Sequence, residues 1–144
     1  MDNANLFAKL LLIRNIRADG LARQLAALRH RLVDMEAEAE ALALDVRHAA
    51  ERADAASPMR VMQPGRLVKG RELHKSMREA AIVKAELGRL HQYKRCLEEE
   101  RLCLRRSVDE CAARLTRSVR IVRRTEGVLD NLKEDAPGAD DGLE

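Results

Sequence analysis

Aromatic residues are almost missing from this chain: one Phe, one Tyr and no Trp in 144 residues. Thick cores lean on large aromatic side chains, so their scarcity points to a thin helical seam. It also removes the stacking platforms used to hold single-stranded nucleic acid. Cysteine is sparse and odd in number, at Cys96, Cys103 and Cys111. Their spacings along one helix do not suit disulfides, and the count fits a reducing cytoplasm. No Cys or His pair has the close spacing of a metal site. Proline occurs only at Pro58, Pro64 and Pro137, so nothing interrupts the long stretches on either side of residues 57–66. The longest apolar run near the N-terminus, Leu10 to Ile13, is far too short for a signal peptide or a membrane span.

What the chain does have is charge and period. Charged residues make up 35%, and Ala, Leu, Arg and Glu dominate. With a 3.5-residue repeat, that composition specifies long helices or a coiled coil. The repeat is clearest in positions 21, 25, 28, 32, 35, 39, 42, 46, 49 and 53. They read Leu, Leu, Leu, Leu, Met, Ala, Leu, Val, Ala, Ala. Steps of four and three alternate without a slip, the signature of a helix wrapping against another helix. The same steps run back to Ala18, Arg14, Leu11 and Phe7, where only Arg14 breaks the apolar series.

A second seam runs from Leu73 to Leu132, with thirteen of eighteen positions apolar. Ser76, Lys94, Arg101, Ser118 and Thr125 are its polar members. Between the seams, Pro58, Pro64 and Gly65 mark the one credible break. The expected fold is all-α: an antiparallel two-helix coiled-coil hairpin with a longer second helix. Helix 5–56, turn 57–67 and helix 68–133 form one domain over 1–134, with Asn3 or Asn5 as the first cap. Residues 135–144, acidic and rich in Pro and Gly, read as a disordered tail.

A turn centred near Gln63 makes facing residue numbers total about 125 or 126. That sets Leu21 opposite Leu104 and Leu11 opposite Leu115. Helix one then runs out near Asn5, facing Arg120, and Val122, Leu129 and Leu132 continue with nothing opposite. The overhang is roughly 20 Å on a hairpin of roughly 75 Å. An unpaired apolar stripe calls for a partner, and truncation after Arg120 is expected to leave the hairpin folded.

Net charge is only +3, yet charge is segregated. Residues 9–31 carry six bases and one acid, and residues 95–124 carry nine Arg and five acids. The hairpin brings these segments together, so a basic end is expected, suited to an acidic surface or a polyanion. Arg117, Arg120 and Arg124 recur at helical spacing there.

No catalytic constellation is visible: no phosphate loop, nucleophile elbow or HExxH motif. His30, His48, His74 and His91 are dispersed along the helices. No catalytic, cofactor-binding or metal residue is assigned, and an enzyme is not expected. Nucleic acid is not an expected partner either, because no motif for it appears. The turn carries Met59, Arg60, Met62, Arg66, Lys69 and Arg71. Adaptable Met and Arg side chains suit a tip contact, although an ordinary polar connection is the simpler reading of the same residues.

Residues 11–19, Leu-Leu-Ile-Arg-Asn-Ile-Arg-Ala-Asp, resemble the N-terminal signature of the small type III secretion stalk proteins. These are the YscO-type proteins and their flagellar relative FliJ. That signature is an apolar residue, Arg, two further residues, Arg, Ala and an acid, matched here by Ile13, Arg14, Arg17, Ala18 and Asp19. Gly20 departs from it. The resemblance implies a central stalk linking a hexameric export ATPase to the cytoplasmic ring of the export gate. It implies an ATPase contact through Ile13, Arg14, Arg17, Arg117, Arg120, Val122, Arg124 and Leu129. It implies a gate contact through Met59, Arg60, Met62, Arg66, Lys69 and Arg71. Escort chaperones are a further partner class of such proteins. The expected location is cytoplasmic, peripheral to the inner-membrane secretion apparatus, without direct insertion into the membrane. The alternative is a homo-oligomeric coiled-coil scaffold or adaptor, self-associating through a second stripe such as Leu6, Leu10 and Ile13.

Overall fold

A computed structural model describes residues 2–58 and 69–135. Two helices account for nearly all of them: α1, Asn3–Ala55, and α2, Gly70–Asp135. The chain is the expected all-α antiparallel helix pair, with the second helix longer. The expected turn and tail fall mostly outside the described residues.

α1 starts earlier than expected, and its cap is Asp2 rather than Asn3 or Asn5. The Asp2 carboxylate accepts from the Ala4 amide at 3.1 Å, and its carbonyl accepts from Asn5 at 3.1 Å. A carboxylate satisfies an orphan amide and also favours the positive end of the helix dipole. At the start of α2, the Lys69 carbonyl accepts from Glu72 and Leu73.

The seams are as the periodicity predicts. Every seam position named above is buried or half-buried, and Leu25, Leu42, Ala49, Leu97, Leu104, Cys111, Val122 and Leu129 form the core. In heptad terms, Leu11, Ala18 and Leu25 are a positions of α1, and Arg14 and Leu21 are d. On α2, Leu115, Val122 and Leu129 are a, and Cys111, Ser118 and Thr125 are d.

The helices divide into two compact units. One joins Met1–Arg31 to Leu104–Glu144, and the other is Leu32–Cys103. In the second unit, Arg52 pairs with Glu86 at 3.2 Å, and the Tyr93 hydroxyl donates to Glu38. All four residues directly precede an a position. The flanks therefore meet like to like, as antiparallel packing requires. Arg101, at a seam position, keeps a buried Nε without a hydrogen-bond partner.

In the first unit, the Cys111 thiol donates to the Leu21 carbonyl at 3.6 Å. Arg14 donates through Nη1 to the Thr125 hydroxyl, and that hydroxyl donates to the Ile121 carbonyl at 2.8 Å. These contacts correct the expected register. Leu21 stands beside Cys111 rather than Leu104, one heptad further along α2. Arg14 reaches Thr125 rather than Cys111, fourteen residues further along, so the slide lies between one and two heptads. The physical reason lies in the repeat itself: sliding one helix by a heptad buries the same face. The apolar pattern fixes the face, and only specific layers fix the slide.

The unpaired overhang disappears with that correction. Thr125 is 1% exposed, and Val122 and Leu129, three and four residues away on the same face, are buried as well. Leu132 is half-buried. The C-terminal turns of α2 are thus covered within the first unit, and truncation after Arg120 removes core rather than a spare stripe.

Candidate docking surface

The seam assigns every other position in the first unit to a flank or a back. On one flank, the c and g positions of α1 are Leu6, Leu10, Ile13, Arg17, Gly20 and Gln24. The matching positions of α2 are Arg114, Arg117, Ile121, Arg124, Val128 and Asn131. These twelve positions carry four exposed arginines, with Arg31 further along the same flank and Glu110 and Asp135 as its only described acids. Between the arginines, Leu6, Ile13, Ile121 and Val128 are exposed aliphatic side chains. The opposite flank, the b and e positions, also holds bases at Arg29, Arg105, Arg123 and Lys133 and the exposed Leu12. It matches its bases with Asp19, Asp109, Glu126 and Asp130, so the net positive charge lies on the first flank.

The structure distributes the expected ATPase-contact residues unevenly. Ile13, Arg17, Arg117 and Arg124 share the arginine-rich flank. Arg120 is exposed on the back of α2. Arg14 lies in the seam, half-buried and bonded to Thr125. Val122 and Leu129 are buried, so neither offers a side chain to a partner while the helices stay paired. Of the expected gate-contact residues, Lys69 and Arg71 are exposed at the start of α2. Met59, Arg60, Met62 and Arg66 lie outside the described residues.

Three flank residues escaped the sequence reading: Arg114, Ile121 and Val128. Their signal was present, since each directly precedes an a position of α2. Finding it needed heptad letters on both seams and the rule that like flanks meet in an antiparallel pair.

Elsewhere the described residues offer little chemistry. They contain no group of three or more His, Cys, Asp or Glu side chains placed to hold a metal ion. Cys96 and Cys103 are exposed thiols on α2, and Cys111 is buried. The hollows of the second unit are shallow and lined by single helices, for example His48, Glu51, Arg52 and Ala55 of α1. The Tyr93 hydroxyl has its pKa raised above the ordinary phenol value. Its hydrogen bond to Glu38 is the main cause, and the negative charge of Glu38 adds to it. No described helix is long and apolar enough to cross a membrane.

Comparison with protein-family models, with curated proteins and with solved structures returned no match.

Proposed function

We propose that this chain is a central stalk of a type III secretion export apparatus. It docks with a hexameric export ATPase and links it to the export gate. The arginine-rich flank of the first unit carries this reading. Arg17, Arg117 and Arg124 project there beside Ile13 and Ile121. An arginine-rich surface steers toward acidic surfaces, and neighbouring aliphatic residues supply contact area once docked. The resemblance of residues 11–19 to the stalk signature supports it further. Two residues of that signature, Arg14 and Ala18, sit in the seam of the first unit, where Arg14 ties α1 to Thr125. The signature's conformational role is therefore to fix the surface, and Arg17 is its contact residue.

The test is the triple variant Arg17→Glu, Arg117→Glu, Arg124→Glu. These side chains are exposed, so the fold tolerates the change. With the partner ATPase, the full chain increases ATP hydrolysis or stabilises the hexamer, and the triple variant does neither. Equal stimulation by both proteins sinks the proposal.

A homo-oligomeric scaffold is the second reading. The exposure of Leu6 and Ile13 favours it, because two copies burying those residues would gain apolar contact. Sedimentation equilibrium separates the readings: a stable dimer lost on Leu6→Gln with Ile13→Gln supports a scaffold.

A further inference from the structure

The outward face of α1 carries Lys9, Leu12 and Ile16, which the stalk reading does not use. In a two-helix pair, the b, c and f positions point away from the partner helix and are ordinarily polar. Here, over residues 6–16, they are Leu6, Lys9, Leu12, Ile13 and Ile16. Leu12 is 62% exposed and Ile16 59%, with Leu6 and Ile13 close behind. Three turns of α1 thus present four large aliphatic side chains to the outside. The first 31 residues carry six bases against Asp2 and Asp19, and Lys9, Arg17 and Arg23 are exposed along this face and its borders.

From this arrangement we infer that the first unit adsorbs to an anionic lipid bilayer through the outward face of α1. The helix lies in the interface, and Leu6, Leu12, Ile13 and Ile16 enter the headgroup–acyl boundary. Lys9 discriminates between occupants. It sits in the middle of the apolar face. At a bilayer its long stem lies along the acyl boundary while the ammonium reaches the phosphates. Inside an apolar protein–protein seam the same ammonium is costly to bury unless a carboxylate is placed directly opposite it. A second copy would set Lys9, Arg17 and Arg23 against their own counterparts. A lipid surface supplies the negative charge that this end of α1 lacks. The adsorption lies on the membrane and not across it; it shares Ile13 and Arg17 with the arginine-rich flank but rests on Lys9, Leu12 and Ile16, which the stalk reading does not use.

The experiment is co-sedimentation of the full chain with vesicles of phosphatidylcholine containing phosphatidylglycerol, against pure phosphatidylcholine. Binding to the anionic vesicles and not to the neutral ones is expected. Each base removed at Lys9 or Arg23 weakens it about fivefold, the equivalent of roughly 1 kcal/mol per cation near an anionic surface. Leu12→Gln with Ile16→Gln abolishes it, while Leu44→Gln, at an exposed apolar position of the second unit, leaves it unchanged. Helix content by circular dichroism verifies that each variant is folded. Absence of binding to anionic vesicles overturns the inference, as does binding that ignores lipid charge or the Leu12 and Ile16 substitutions. A self-dimer dissolved by those substitutions also overturns it. ATPase stimulation by the Leu12 and Ile16 variant is read separately, because the arginine flank remains intact.

Discussion

The contact between Arg14 and Thr125 makes the sharpest prediction about what holds the first unit in register. Thr125 is almost fully buried, and its hydroxyl accepts from the Arg14 guanidinium while donating to the Ile121 carbonyl. A hydrogen bond to a charged group is worth about 1.5–3 kcal/mol. Arg14 is only half-buried, so water replaces part of a lost bond and the lower end applies. Thr125→Val keeps the shape, removes the acceptor and costs about 1.5 kcal/mol. Arg14→Met removes the donor but leaves the hydroxyl bonded to Ile121, so its cost is smaller, about 0.5 kcal/mol. In the double variant both polar groups are gone and two apolar side chains meet. Its cost falls below the sum of the singles by about 1 kcal/mol. Urea unfolding followed by circular dichroism gives all three values. At this chain length 1 kcal/mol shifts Tm by about 3–4 °C. Single-variant effects that add to within about 0.3 kcal/mol would refute the coupling and the register built on it.

Three further outcomes follow from other parts of the structure. Truncation after Arg120 strips Val122, Thr125 and Leu129 from the core, so it destabilises by about 3 kcal/mol or more; hydrogen exchange should show lost protection in residues 3–15 of α1, and an unchanged pattern would contradict their pairing. Gly20→Ala stabilises by about 0.5–1 kcal/mol, since a Cβ there meets nothing within 4 Å and alanine is the better helix former; a lowered urea midpoint would count against it. Tyr93 is the only tyrosine and Trp is absent, so phenolate absorbance titrates one group. Its midpoint lies above the ordinary phenol value and returns toward it on Glu38→Gln. The sign is that of a raised pKa: the stabilisation is complete below the unfolded phenol value and fades as pH rises through the folded one.

The fold was legible because burial repeats with the helix. Each position from Phe7 to Ala53 and from Leu73 to Leu132 that falls on the alternating steps is covered in the structure. Slide along the seam was not legible, for the same reason. Leu21 facing Leu104 and Leu21 facing Cys111 both satisfy the repeat, and the choice rests on single layers such as Arg14 with Thr125. Arg14 looked like a flaw in the seam, and Thr125 like one of several tolerated polar residues. Their pairing appears only when both helices are placed. The error carried forward into the site, where Val122 and Leu129 were expected to reach a partner and are instead core. The basic surface survived the slide because charge in residues 9–31 and 105–124 extends over several heptads. The excess of bases over acids on one flank came from the c and g positions, which composition alone does not display.

Co-purification of the full chain with the cell's own ATPases, followed by hydrolysis assays with and without the chain, tests the stalk role most directly. A hexameric ATPase that is recovered, and is faster or more fully assembled in the presence of the chain, is the outcome predicted by a basic docking flank. Recovery of no ATPase, with the chain alone forming a stable dimer, would contradict a stalk role and favour a coiled-coil scaffold.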